Sequence, residues 1–182
     1  MARLLPLVPS PVDADLRESR FRACYAADYR AVRRYIARLS GHPDEADDLT
    51  QETFVRLWQR LQEKDVEELR PFVYRIASNL VINRHRDRRR ASAIEAPMPE
   101  NVAHMRAVSG DLEGELERRQ LVGRTLARLP EPMRQVLLLY HEGFTAKETA
   151  AVVGVSAAYV STLVMRGHQR FRRERARLEH GE

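Results

Sequence analysis

The stretch from Thr145 to Phe171, TAKETAAVVGVSAAYVSTLVMRGHQRF, constrains this chain more than any other. Its spacing predicts two short helices joined by a tight turn, set at an angle so that the second can enter a DNA groove. Thr145 followed by Glu148 is a capping box, whose two side chains each satisfy a backbone N–H that a helix start leaves without a partner. Gly154 falls at the turn, where a backbone with φ > 0 is expected. Ser156 is placed to cap the second helix. Ala150 is small where two helices must approach, and Val153, Val155, Val160 and Leu163 are spaced to pin them together. A run of arginines follows directly: Arg170, Arg172, Arg173, Arg175 and Arg177, with Glu174 among them. No one of these signals decides the matter, but their joint spacing makes DNA the expected partner.

Charge supports that partner only weakly. The chain carries a formal +5, because 31 basic residues face 26 acidic ones. Where the charges sit therefore matters more than their sum. All the basic residues except Lys64 and Lys147 are arginine. Arginine offers a planar fork for phosphate and guanine edges, although a GC-rich genome would produce the same preference. Cys24 is the only cysteine, so neither an intrachain disulfide nor a cysteine zinc cluster is possible, and its neighbours Phe21, Tyr25 and Tyr29 suggest a core position. The opening MARLLPLVPSPV has one arginine and a short apolar run broken by prolines. That pattern suits neither a secretory leader nor a bilayer span, so no membrane insertion and a cytoplasmic location are expected.

The expected fold is all-α: two small helical domains joined by a flexible linker, the second containing the helix-turn-helix. Residues 1–14 are read as a tail, 15–90 as the first domain, 91–111 as the linker, 112–178 as the second domain and 179–182 as a tail. The linker has two prolines, no sustained period and about twenty residues, longer than loops inside compact domains usually run. Two domains rather than one are therefore expected. In the first, Phe21, Tyr25, Ala26, Tyr29, Val32, Arg33 and Ile36 fit one helical stripe. Gly41 and Pro43 mark a stop and a restart. Asp44, Glu45, Asp47 and Asp48 then fill a first turn, complementing the positive helix end, with Leu49, Thr53, Leu57, Trp58 and Leu61 as the buried face. Pro71 is expected to open the third helix, striped by Phe72, Val73, Ile76, Leu80 and Val81 and ending in Arg84, Arg86, Arg88, Arg89 and Arg90. In the second domain, Leu116, Leu121, Val122, Leu126 and Leu129 mark a helix that stops at Pro130. Pro132 starts the next, with Val136, Leu137, Leu139 and Tyr140 as its apolar face and Gly143 as its end.

The acidic segment DEADDLTQETFVRLW has the bare pattern of a solvated, well-capped amphipathic helix. His42, Asp44, Glu45, Asp47 and Asp48 are close in sequence, but consecutive helical positions diverge in direction and no His-x-x-x-His or calcium-loop spacing is present. No metal and no cofactor are expected. Nor does a glycine-rich phosphate loop, a nucleophile elbow or a Cys–His pairing appear, so no enzyme activity is expected. Residues alone leave two rivals open: a dimeric helix-turn-helix regulator of duplex DNA, and, more remotely, a helical metal hydrolase built on His42 and the acidic cluster.

Three segments in order, DDLTQETFVRLWQRL, PFVYRIASNLVINRHRDRRR and LARLPEPMRQVLLLYHEGFTAKETAAVVGVSAAYVSTL, resemble the bacterial extracytoplasmic-function (group four) RNA polymerase sigma factors. The resemblance runs from Phe21 to Arg173. It implies a factor that binds core RNA polymerase through the β′ clamp and β flap, directs it to a two-part promoter, and is held inactive by an anti-sigma factor. Asp48, Leu49, Gln51 and Glu52, around Thr50, match the segment that docks on the β′ clamp. The third helix matches the element that opens the minus-ten region. Arg75 and Asn79, one turn apart, would meet bases there, with Arg84, Arg86 and Arg88 on phosphates. The loop from Gln62 to Arg70 stands where the family captures a flipped base. For the minus-thirty-five element the resemblance points to Ser156, Ala157, Tyr159, Ser161, Thr162, Arg166 and Arg170. This chain departs from the family there: a lysine and an arginine are usual near Ser161 and Leu163, so readout would fall to Tyr159, Ser161 and Thr162 and to DNA shape. Thr149 also stands where an aliphatic residue is commoner. Arg134 could touch phosphate or simply sit on the surface.

Overall fold

The computed structural model describes residues 11–92 and 113–180. Among them no strand occurs, and the order is α1 (Pro11–Ser40), a 3-10 turn (Pro43–Glu45), α2 (Ala46–Glu63), α3 (Leu69–Ser92), α4 (Glu113–Ala127), α5 (Glu131–His141), α6 (Ala146–Val153) and α7 (Ala157–Glu179). Several boundaries differ from the sequence reading. α1 already runs from Pro11, inside the stretch taken for a tail. α3 opens at Leu69, two residues before Pro71; first-turn N–H groups have no intrahelical acceptor, so a proline there loses nothing. Most of the segment read as a linker lies outside the described residues.

The first unit is a three-helix bundle. Val32, Tyr35, Ile36 and Leu39 of α1, Leu49, Leu57 and Leu61 of α2, and Val73, Ala77 and Val81 of α3 are buried at helical spacing. Cys24 is buried too, and its thiol is pushed up to about 12, by burial first and then by Asp28. Two threonines sit fully inside this core because each hydroxyl donates to the carbonyl one turn back: Thr50 to Ala46 at 2.5 Å and Thr53 to Leu49 at 2.6 Å. Gly41, at φ +73°, ends α1 in the left-handed region that favours glycine.

The second unit carries the helix-turn-helix as expected. Glu148 N donates to Thr145 Oγ1 at 3.2 Å while Thr145 N donates to Glu148 Oε2 at 2.7 Å, so the capping box is complete. Gly154 has φ +79°. Tyr159 N donates to Ser156 Oγ at 3.2 Å, capping α7. α6 and α7 meet at 97°. Val136, Val160 and Leu163 close the small core between them, with Ala150 and Val153 packed against it. α7 crosses α5 at Gly167, where an added Cβ would lie 3.1 Å from the Leu137 side chain.

The two units pack against each other. One apolar cluster continues from α1–α3 into Leu126, Leu138, Leu139, Phe144 and Val152. Tyr74 meets Phe144 edge to face at 4.7 Å. The Arg70 guanidinium lies 4.5 Å over the Phe144 ring and donates to the Glu142 carbonyl at 2.6 Å. Deeper in the joint, Ser78 Oγ donates to the Tyr74 carbonyl at 2.7 Å. Its single proton is then committed, so the Tyr35 hydroxyl, 2.7 Å away, must donate to it. His85 bridges the same joint, with Nε2 3.0 Å from the Ser40 carbonyl and Nδ1 3.4 Å from Glu131. No single helix among the described residues is long and apolar enough to cross a membrane.

Candidate nucleic-acid interface

The N-terminal half of α7 lies on the body of the second unit and presents one exposed ridge. Ser156, Ala157, Tyr159, Ser161, Arg166 and Arg170 are exposed and Thr162 is half-buried, while Val160 and Leu163 turn inward. A helix that buries only every third or fourth residue can offer the rest to a groove. Tyr159 is 50% exposed and its hydroxyl has no partner among the described residues. The hydroxyls of Ser161 and Thr162 donate back to the carbonyls of Ala157 and Ala158, both at 3.3 Å. These bonds are long and turn readily to another acceptor.

The arginines of α7 are not equivalent. Arg166 makes no ion pair among the described residues. Arg170 lies 3.8 Å from Glu174, which also gathers Arg128 at 3.8 Å and Arg177 at 3.4 Å. Glu174 is itself buried. A buried carboxylate needs such company, so the acidic residue inside the basic run is a structural hub that draws Arg170 and Arg177 toward the body.

On α3, Arg75 and Asn79 are exposed on one face, and Arg84 and Arg86 follow, all without partners among the described residues. Arg88 differs: it is only 28% exposed in its side chain and pairs with Glu45 of the 3-10 turn. It is therefore tied into the first unit, unlike the free cation the sequence suggested.

The acidic face of α2 divides similarly. Asp48 and Gln51 are exposed and make no hydrogen bond or ion pair among the described residues. Glu52 pairs with Arg56 one turn on at 2.6 Å. Asp47 takes a two-pronged bond from Arg33 of α1, at 2.5 and 2.9 Å, and that side chain holds its carboxyl below the usual range. Leu49, by contrast, is 1% exposed and belongs to the core, so it cannot meet a partner directly. Beside Gln51 the structure adds a surface that the sequence reading missed, an apolar groove walled by Phe21, Tyr25, Phe54, Val55 and Trp58. Tyr25 and Val55 are 43% and 54% exposed. The signal was the i, i+4 aromatic series in α1, which a stripe alone assigns wholly to the core.

Arg134 answers neither of its two sequence readings. It is buried, its side chain has no hydrogen bond or ion pair among the described residues, and its Nε is enclosed without an acceptor. Burial lowers its pKa, Glu131 opposes that and Arg89 of α3 adds to it. Among the described residues no three His, Cys, Asp or Glu side chains gather as metal ligands would.

Comparison with known proteins now bears on these surfaces. The family Sigma-70 region 2 matches residues 24–91, and the family Sigma-70, region 4 matches residues 119–171. The first span holds α2 and α3 with most of α1; the second holds the helix-turn-helix. The chain is 32% identical over 152 residues to the ECF RNA polymerase sigma factor SigE of Mycolicibacterium smegmatis, covering 78% of this chain but only 56% of that protein. It is 24% identical over 147 residues to the ECF RNA polymerase sigma factor SigW of Bacillus subtilis, covering 75% and 79%. In structure it is similar to the sigma factor RpoE in complex with the anti-sigma factor NepR from Bartonella quintana, with TM-score 0.74, 23% identity and coverage of 85% and 96%. It is also similar to CnrH in complex with the cytosolic domain of CnrY, with TM-score 0.65, 26% identity and coverage of 94% and 97%.

Proposed function

This chain belongs to the sigma-70 family, in its extracytoplasmic-function group, and on that premise we propose that it is a transcription initiation factor without chemistry of its own. It binds core RNA polymerase, carries it to a two-part promoter and helps melt the downstream element. Asp48 and Gln51, with the adjoining groove of Val55 and Trp58, form the polymerase surface: charge steers the encounter and apolar area holds it. Leu49 supports that surface from beneath. Arg75 and Asn79 meet the opened strand, and Asn79 can give and accept hydrogen bonds on an unstacked base. The loop between α2 and α3 receives a flipped base, and Arg84 and Arg86 lie along the phosphates. Ser156, Ala157, Tyr159, Ser161, Thr162 and Arg166 read the upstream element. The factor works in the cytoplasm, under an anti-sigma factor of the kind bound to the structurally similar RpoE.

The observation that carries this reading is the pairing, in one chain, of unpartnered acidic and amide groups on α2 with unpartnered basic and tyrosyl groups on α3 and α7. Core enzyme should retain the full-length chain in a pull-down and initiate from a matching promoter in run-off transcription. Asp48→Ala with Gln51→Ala should lower that retention at least about tenfold, since these residues support no internal contact. Retention of neither protein would leave a duplex-binding regulator as the better account.

A further inference from the structure

The loop between α2 and α3 has no regular structure of its own, yet one side chain from a distant helix fixes it. Lys64 leaves α2 in an extended conformation, at φ −153° and ψ 156°. Val66 is buried and anchors the middle of the loop in the first core. Above it, the guanidinium of Arg20, from α1, pairs with Asp65 through Nη1 at 2.6 Å, and donates through Nη2 to the carbonyl of Val66 and, at 3.0 Å, to that of Glu67. Three successive residues are thus read by one planar group across 45 to 47 positions of sequence. The loop carries Asp65, Glu67 and Glu68 against Lys64 alone, so without Arg20 it would meet a DNA strand as an acidic segment held only at Val66.

We propose that Arg20 is the positioning residue of this loop, holding residues 65–67 in the shape that receives an unpaired promoter base. The inference rests on the base-receiving role given to the loop above. A flexible loop must be ordered when it binds, and a loop already ordered avoids that loss. Arginine suits the task because its fork spans several acceptors and stays charged; a lysine presents only a point of charge. Arg20 touches no base itself. Asp65 is 78% exposed in its side chain, so the pair stiffens the outer edge of the loop and contributes little to the core.

The test uses holoenzyme assembled from the full chain and core polymerase. Promoter forks with a single-stranded minus-ten region are each made to lack one base in turn, and the wild type identifies the position whose removal costs most. Arg20→Ala should weaken binding to the intact fork about five- to tenfold, the size of a lost charged hydrogen-bond cluster. On the fork lacking the sensitive base it should lose less than about twofold. Arg20→Lys should fall between. Asp65→Asn, an exposed change that leaves the fold intact, should show the same pattern in smaller measure. Equal losses on both forks, in Arg20→Ala and Asp65→Asn alike, would overturn the proposal and make Arg20 a strut of the fold. A wild type that binds forks tightly yet is indifferent to every base removal would instead overturn the role of the loop, and the proposal with it.

Discussion

Tyr74 of α3 and Phe144 of the second unit meet edge to face, ring centroids 4.7 Å apart and planes at 65°. One ring lies in each family-matched segment, so the pair is a rivet between two modules that the sequence presents as independent. Phe144 is 2% exposed. Phe144→Ala should therefore destabilise the protein by about 3–5 kcal/mol, measured by urea denaturation. A loss below about 1 kcal/mol would show that the rings touch without packing.

Gly154→Ala tests the turn of the helix-turn-helix. The added Cβ meets nothing within 4 Å, so any penalty comes from the backbone alone, at φ +79°. The expected cost is about 1–2 kcal/mol, read as a lower melting temperature. An unchanged melting temperature would mean that the turn relaxes.

The sequence made the local parts of this protein legible and left the joint between them hidden. The capping box at Thr145, the glycine at position 154 and the serine cap at position 156 are short-range chemistry, complete within four residues. Tyr35 and Ser78 could not be read that way, because they lie 43 positions apart and no periodicity announces a buried hydroxyl pair. The same limit explains Arg134 and Arg88, which a charge count places in solvent and tertiary packing encloses. Leu49 was legible twice over, as a family-motif residue and as a core position, and burial decides for the second.

Acid should loosen the helix-turn-helix through Glu148. The Thr145 hydroxyl, and next the Thr145 N–H, hold its carboxyl below the usual glutamate range. The folded value thus lies under the unfolded one, near 4.3. The stabilisation is complete above the unfolded value and is lost as pH falls through the folded one. Glu148→Gln cannot lose it in this way. The gap in melting temperature between wild type and variant should be widest near about pH 6 and close toward about pH 3; a gap constant across that range would detach the effect from this carboxyl.

Salt should separate the arginines of α3. Arg84 and Arg86 are free of partners among the described residues, while Arg88 is paired with Glu45. Each phosphate contact removed lowers the slope of log affinity against log salt by about 0.7 to 0.9. Arg84→Ala or Arg86→Ala should flatten the slope for holoenzyme on promoter by about that amount, and Arg88→Ala by less. Equal flattening by all three would mean that Glu45 surrenders Arg88 to the strand.

The close crossing at Gly167 has a mechanical outcome. α7 runs unbroken from Ala157 to Glu179, so at 1.5 Å per residue its reading end projects about 15 Å beyond that crossing. Val160 and Leu163, packed on Val136, hold the same stretch of α7 to α5. That half of α7 therefore turns only as one block with α5, and its direction is set by the single Leu137 side chain at the crossing and by Val136 beneath it.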